Sequence, residues 1–276
     1  MYEDIGTLIG KGFDTWKSNL NLAVPSAMTY AAIMLLITAI AGFPLYITKL
    51  GLQALVILVG IFAMFIVYSF FTAGTVGMAK VATYGYKATL KDMWVSGRRH
   101  YLSLFFVHLV IGLAIISGFI IIFISCNILD LIPGSISSIL LSIALAAYVI
   151  LTALIMVFII LASVVFSIVP LSVVVDGRRA VNSIGAAMQF FLSNKKDVFL
   201  IWLVIIAIWI AIWLVSLPFS VSYIGNAIWW AVETVVYVVV VQPLSMVWFT
   251  RLYMSRTGKM SETELLEGKE GNVLLR

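Results

Sequence analysis

Two ionisable side chains, Glu233 and His108, lie well inside long apolar stretches of the sequence, where a charge is costly. Such a residue could bind a proton, a cation or a polar substrate if a partner or an aqueous cavity accompanies it. Glu233 could instead be structural, because it lies only ~10 Å from the start of its stretch and its carboxylate can extend to the interface. His108 allows the same two interpretations. The sequence places the two residues too far apart in depth to form a pair.

Gln242 and Pro243 interrupt the same apolar stretch that contains Glu233. Pro243 lacks an N–H and should kink the helix, which frees a backbone carbonyl near residue 239 that a neighbouring group must satisfy. Broken helices often form the substrate sites of transporters, although proline also serves as a purely structural kink in spanning helices. Gln242 and Pro243 therefore join Glu233 and His108 as candidate functional residues.

Enzyme signatures are absent from the sequence. It contains no His-Glu-x-x-His, no Gly-x-Ser-x-Gly and no glycine-rich phosphate loop. With two histidines and a single cysteine, Cys126, it offers no metal cluster, and we expect no metal, no cofactor and no intramolecular disulfide. The sequence therefore favours a protein that is not an enzyme, and it assigns no catalytic residue.

The candidate residues must be positioned by membrane-spanning helices. Of the 276 residues, 63% are hydrophobic and 11% charged, a composition that excludes soluble classes. The fourth apolar stretch could hold two spans, but one long helix ending near Pro170 preserves the charge pattern described next. We predict an all-α, single-domain bundle over residues 1–250 and a polar tail over 251–276. Its six spans should lie at about 20–48, 51–79, 101–126, 135–169, 198–217 and 224–250.

Lysines and arginines are distributed very unevenly between the two sides of such a bundle. If the spans alternate in direction, all 17 of these residues except Lys49 fall on one side. Their excess marks the cytoplasmic side, so we predict a multi-pass protein of the cell membrane with both termini in the cytoplasm. The basic residues would attract the anionic headgroups of that leaflet. Their position beside the spans argues against nucleic-acid binding despite a net charge of +5.

A short pattern recurs before the first, third and fifth spans: an aromatic residue, any residue, a serine, and then an asparagine or glycine. It is formed by Trp16, Ser18 and Asn19, by Trp94, Ser96 and Gly97, and by Phe191, Ser193 and Asn194. Each copy closes an amphipathic segment that should lie in the headgroup plane. We expect an elbow there, with asparagine or glycine in left-handed backbone and serine or asparagine capping the following span. The recurrence suggests a threefold repeat of hairpins, whose elbows orient the hairpins or sense the inner leaflet.

The segment from Ile168 to Ile184 reads Ile-Val-Pro-Leu-Ser-Val-Val-Val-Asp-Gly-Arg-Arg-Ala-Val-Asn-Ser-Ile. It has a proline, an apolar strip, an acidic residue, and then an alanine and a serine that open a helix. In this it resembles a group of uncharacterised prokaryotic six-span proteins related to the membrane domain found beside glycerophosphoryl diester phosphodiesterases. The resemblance implies a membrane module over most of the chain. It transfers no catalytic residue, because the phosphodiesterase chemistry belongs to a separate soluble domain.

Polar groups are scarce within the apolar stretches and abundant at the predicted interfaces. We therefore expect a non-enzymatic membrane module that organises lipid or a partner, either another membrane protein or a second copy of this chain. The alternative is a small transporter or permease component that uses Glu233 and the kink at Pro243. A lipid-modifying enzyme would need several polar residues along a water-filled groove, and the sequence does not reveal such a set.

Overall fold

The computed structural model describes residues 3–42, 50–130 and 138–260, and every regular element within them is helical. Two turns of 3₁₀-helix lie at Leu20–Leu22 and Leu217–Val221, and a π-helical segment lies at Tyr237–Val241. The α-helices are α1 (Ile5–Ser18), α2 (Ala23–Gly42), α3 (Leu50–Thr83), α4 (Leu90–Asp130), α5 (Ser138–Val174), α6 (Ala180–Ser193), α7 (Lys195–Ser216), α8 (Tyr223–Val236) and α9 (Gln242–Arg256).

Six stretches of the described chain are long and apolar enough to cross a membrane, which confirms the predicted all-α bundle of six spans. The last of them joins α8, the π segment and α9 into one span. Lys49, the predicted basic residue of the opposite side, lies outside the described residues, as does the Cys126 side chain. The stretches are Leu20–Gly42, Gly51–Thr83, Leu90–Gly118, Leu145–Val174, Lys195–Val221 and Tyr223–Arg256.

The long fourth stretch forms the single helix α5, as predicted, but the helix does not end at Pro170. It continues to Val174, and Pro170 is buried inside it. Neighbouring helices and hydroxyl side chains can satisfy the backbone groups that a proline frees in a membrane helix, so the proline does not have to end it. The 37 residues of α5 extend about 55 Å, more than the ~30 Å of hydrocarbon, so the helix projects beyond it.

The projecting helix ends pack together at one end of the bundle, which we call the basic end. It is the end that contains Glu3, Asn19, Ala88, Asp176, Asp197 and Arg251. The core lies here, around fully buried residues such as Leu8, Ile168, Leu171, Leu252 and Met254. Farther along the spans, side chains such as Leu58 and Leu154 are exposed, as expected for surfaces that face lipid.

The three helices that end at this location, α3, α5 and α9, are each followed by a glycine with positive φ. Gly85, Gly177 and Gly258 have φ values of 86°, 68° and 71°. The backbone N–H after each of these glycines returns to the preceding helix, Tyr86 to the Val81 carbonyl (3.3 Å), Arg178 to the Ser172 carbonyl (3.4 Å) and Lys259 to the Met254 carbonyl (2.9 Å). These are glycine C-caps, which end helices because glycine enters the left-handed region without steric cost. Each predicted hairpin thus finishes in the same way.

Two of the three predicted elbows form, and both differ in detail from the prediction. Asn19 separates α1 from α2 and Asn194 separates α6 from α7, but their φ values of −129° and −126° are not left-handed. The amide of Asn19 donates to the Thr15 carbonyl (3.1 Å) and that of Asn194 to the Phe190 carbonyl (3.0 Å). Each asparagine therefore caps the amphipathic helix before it instead of the span after it, because that helix leaves terminal carbonyls without donors.

The third predicted elbow, at Ser96 and Gly97, is wrong, because α4 runs through both residues without a break. The Ser96 hydroxyl donates to the Ala73 carbonyl on α3 at 2.8 Å. A Cβ atom at Gly97 would lie 2.9 Å from the Phe70 ring and 3.1 Å from its carbonyl oxygen. The two small residues therefore let α3 and α4 approach closely, as small residues do between membrane helices.

Candidate functional site

The last span is irregular where the sequence predicted a kink. The π-helical segment Tyr237–Val241 ends at Gln242, and Pro243 occupies the first turn of α9. In a regular helix the carbonyl of Val239 would accept the N–H of residue 243, which proline lacks. The indole N–H of Trp16 donates to this carbonyl instead, at 3.1 Å. The expected satisfaction of a carbonyl near residue 239 by a neighbour is therefore confirmed.

The first elbow helix is docked on the same span through a second indole. Trp248 Nε1 donates to the carbonyl of Ile9 at 3.0 Å, and Gly12 is buried against the Trp248 ring. The buried face of α1 thus packs on α9. The sequence predicted only that α1 lies at the membrane interface, and did not predict this contact. The other predicted elbow aromatics differ, since Trp94 is 57% exposed and stacks edge-on with Phe70, whereas Phe191 packs against the core.

A cavity of about 520 Å³ lies beside the irregular turn, between α3, α4, α5, α7 and the last span. This volume is within the range of ligand pockets, ~300–1,000 Å³. Aromatic rings such as Phe65, Trp202 and Trp209 form much of its wall. Asp, Glu, Lys and Arg are missing from the lining among the residues that the structure describes. The polar lining residues include Tyr68, Thr72, His108, Ser163, Tyr237 and Gln242.

His108 is held against α3 by a hydrogen bond that fixes its tautomer. Its Nδ1 lies 2.8 Å from the hydroxyl of Ser69, and that hydroxyl donates its single proton to the Phe65 carbonyl at 2.6 Å. Ser69 can then only accept from the imidazole, so Nδ1 carries the proton and Nε2 is an acceptor. Within the described chain Nε2 has no hydrogen-bond partner. The Tyr68 ring packs against the imidazole, with 4.8 Å between the ring centroids.

Gln242 and Tyr237 complete the polar side of the cavity. Both side chains are partly buried, and neither the carboxamide nor the phenol hydroxyl has a hydrogen-bond partner among the described residues. The π turn contributes to this arrangement because its extra residue per turn rotates the side chains after it relative to those before it. The structure therefore brings together two of the predicted candidates, His108 and Gln242, which are 134 positions apart in the sequence.

Sequence reasoning missed Tyr68, Tyr237 and the serines of α5 as site residues. Ser163 and Ser167 have the four-residue spacing typical of close helix packing, yet both line the cavity. Their hydroxyls donate to backbone carbonyls of α5, Ser163 to Ile160 (2.7 Å) and Ser167 to Ser163 (2.9 Å). The sequence did contain one signal for these residues, a set of hydroxyl groups within highly apolar stretches. No local sequence pattern, however, shows that these hydroxyl groups lie around one cavity.

Glu233 is not part of this cavity. Its side chain is partly buried and forms no hydrogen bond or ion pair with the residues that the structure describes. The next residue, Thr234, lies near α2, with its hydroxyl 3.4 Å from that of Tyr30. The structure therefore does not bring Glu233 together with His108 or Gln242, and its proposed proton, cation or substrate role stays a prediction.

The basic end contains a network of ion pairs that joins four parts of the chain. Arg251 donates to both carboxylate oxygens of Glu3 (2.8 and 2.7 Å), Arg256 pairs with Asp197 (2.7 Å), and Lys259 pairs with Asp176 (2.7 Å). Residues 251–256 are the last six residues of α9, and these ion pairs tie them to the bundle. The predicted boundary of the tail at 251 is too early, because Arg251 is buried by its pairing with Glu3. Residues 261–276 lie outside the described part of the chain.

The hydrogen bond from Arg251 holds the pKa of Glu3 below its usual value. Partial burial opposes this effect, and Lys11, 3.0 Å away, adds to it. The lowered pKa keeps Glu3 ionised at neutral pH, as a structural ion pair requires. We assign this network to stability, since its members bind one another and leave few free groups.

A family model described as a domain of unknown function, DUF7847, matches residues 22–255. The match begins after α1 and covers the whole cavity lining and the six spans except Leu20, Asn21 and Arg256 at their outer limits. It does not show a link to the membrane domain found beside glycerophosphoryl diester phosphodiesterases. No curated protein and no solved structure matches the chain.

Proposed function

We propose that this chain, which belongs to the DUF7847 family, is a non-enzymatic membrane module that organises lipid by holding a lipid-like molecule in the cavity beside Gln242. The cavity is the observation that carries the proposal. It combines aromatic walls with a few polar groups, the composition typical of small-molecule sites.

The way into the cavity favours a ligand that comes from the membrane. Three lining residues, Tyr68 on α3, Ser163 on α5 and Trp209 on α7, are exposed, so the cavity opens onto the surface of the bundle. All three lie within stretches that are long and apolar enough to span a membrane. The opening therefore faces lipid, and a lipid-like molecule could enter sideways without crossing water.

The basic end supports an orientation with both termini in the cytoplasm of the cell. Lys and Arg gather at this end, and their excess is typical of the cytoplasmic side. Lys11 and Lys17, on the exposed side of α1, are placed to attract anionic headgroups. In this proposal α1 and α6 position the bundle in the inner leaflet while the cavity holds its ligand.

The second candidate function is a small transporter or permease component. It is favoured by the irregular turn Tyr237–Val241 and Pro243, because broken helices form substrate sites in transporters and this one borders the cavity. Saturable flux of a solute into proteoliposomes that depends on Gln242 would establish it. The same result would contradict a purely organising role.

Native mass spectrometry of the full chain, released gently from its own membrane, tests the proposal. We expect one lipid-sized mass bound to each chain, with occupancy reduced about tenfold in Ser163→Phe, which fills the cavity. Ser117→Phe is the matched control. Ser117 is also exposed and donates to the carbonyl three residues earlier (2.8 Å), but it lies outside the cavity lining. Equal occupancy in the two variants, or a bare chain, would contradict the proposal. A stoichiometric second polypeptide would identify a partner.

A further inference from the structure

We infer that the ligand of this cavity is an uncharged lipid alcohol, a molecule with an apolar body and a free hydroxyl, such as a diacylglycerol or a long-chain isoprenoid alcohol. The inference rests on the proposed lipid-binding function and specifies the chemistry of its ligand. It follows from three unpartnered polar groups in the cavity and from the uncharged character of the lining.

The hydroxyl is required by the hydrogen bonds that the cavity can offer. His108 presents Nε2 as an acceptor, because its Nδ1 proton is used on Ser69. An acceptor of this kind needs a donor from the ligand, which a hydroxyl provides and which an ester or a quinone does not. Gln242 and Tyr237 can donate to the oxygen atoms of the same ligand. A hydroxyl together with ester or ether oxygens would thus satisfy all three groups.

The absence of charge argues against a phospholipid headgroup. Asp, Glu, Lys and Arg do not contribute to the lining within the described ranges 3–42, 50–130 and 138–260. A phosphate moved into this site would lose its hydration without gaining a cationic partner, which is strongly unfavourable. The nearest basic residue along the last span, Arg251, lies nine positions or about 14 Å beyond Gln242 and is already paired with Glu3.

The rings that form the wall suit the apolar part of such a ligand. Trp202 and Trp209 on α7 line the cavity together with Phe65 and Tyr68 on α3, and the Trp209 ring packs on that of Tyr237 with centroids 5.5 Å apart. Flat aromatic surfaces bind alkyl or isoprenoid chains through apolar contact area. The three unpartnered polar groups lie on α4 and the last span, so the ligand would place its hydroxyl against these two elements and its chain toward the lateral opening.

The test is binding of tritiated dioctanoylglycerol to the full chain in phosphatidylcholine nanodiscs. We expect saturable binding that unlabelled dioctanoylglycerol displaces. The 3-O-methyl ether of the same molecule, in which a methyl group replaces the hydroxyl proton, should compete about tenfold more weakly. Dioctanoyl phosphatidic acid, with the same chains and a charge, should compete no better than the ether. Farnesol distinguishes the two sources of the hydroxyl, since stronger competition by farnesol than by dioctanoylglycerol identifies an isoprenoid alcohol.

Variants connect the binding to the named residues. His108→Phe removes the acceptor and should weaken binding about tenfold, and His108→Gln should recover part of it because the Gln oxygen can accept from the ligand. Ser117→Phe should bind like the unaltered chain. Equal competition by the methyl ether or by phosphatidic acid would overturn the lipid-alcohol assignment and leave lipid binding standing. The chain could also bind none of the four lipids saturably and carry no lipid from its own membrane. That result would overturn both the lipid-alcohol assignment and the proposed lipid-binding function.

Discussion

Trp16 and Val239 are linked across 223 positions by a hydrogen bond of 3.1 Å from the indole N–H to the backbone carbonyl. This carbonyl is the one that Pro243 leaves without its helical donor, so the elbow helix α1 supports the irregular turn of the last span. The same turn borders the cavity through Tyr237 and Gln242. A residue predicted to lie at the membrane interface thus stabilises the wall of the candidate site.

Replacing Trp16 with phenylalanine should lower the free energy of unfolding by about 1–3 kcal/mol, because it leaves the Val239 carbonyl, which lies within an apolar span, without a donor. The loss should shrink in a Pro243→Ala background, where residue 243 regains an N–H for the Val239 carbonyl. Thermal unfolding in detergent measures both effects. Trp94→Phe is the control, since Trp94 is 57% exposed. The same loss in both backgrounds would show that ring packing, and not the hydrogen bond, is what Trp16 contributes.

Stability should depend on acidity through the pair formed by Glu3 and Arg251. The lowered pKa of Glu3 means that its stabilisation is complete above its ordinary value of 4.5 and is lost as the pH falls through the lower, folded-state value. At pH 7, Glu3→Gln should cost roughly 1.5–3 kcal/mol, because charge-assisted hydrogen bonds are removed. Unfolding midpoints measured from pH 7 down to strongly acidic conditions should converge for the two proteins. If the difference in unfolding midpoint between the two proteins stayed constant across this pH range, the ionised pair could not be its source.

Gly97→Ala distinguishes close packing from an elbow at this position. A methyl group there would meet Phe70, so we expect a loss of about 1–3 kcal/mol in unfolding free energy. Gly185→Ala is the matched control within α6, where a Cβ atom would find nothing within 4 Å. Alanine should stabilise that exposed helical site by about 0.5–1 kcal/mol. If both substitutions stabilised the protein, the contact between α3 and α4 at Gly97 would be wrong.

Glu233→Gln should leave ligand binding to the cavity unchanged, because Glu233 does not line it. The measurement is the dioctanoylglycerol affinity in nanodiscs, compared with that of Gln242→Leu, which removes a lining carboxamide and should bind about tenfold more weakly. Loss of binding or of proton-coupled flux in Glu233→Gln would restore the predicted transporter site around Glu233.

Several features could be predicted from local sequence because each depends on residues close together in the chain. An irregularity at Pro243 follows from one missing N–H, and the need for a donor near residue 239 follows from helix geometry. The elbows at Asn19 and Asn194 follow from amphipathic segments that meet apolar ones. The elbow predicted at Gly97 is wrong because glycine occurs both at turns and at close contacts between helices. Which of the two it makes depends on Phe70, a residue of another helix.

The sequence by itself determined the six spans and the uneven distribution of charge, because span length and Lys/Arg content are properties of continuous segments. Only the tertiary structure decided which polar residues meet. His108, Tyr237 and Gln242 share one cavity, and Glu233 lies outside it, because depth and rotation of each helix are set by packing against the others. In a membrane nearly every helix face is apolar, so the hydrophobic pattern does not tell which face turns inward. That choice depends on contacts such as Gly97 with Phe70 and Trp16 with Val239, which join distant parts of the chain.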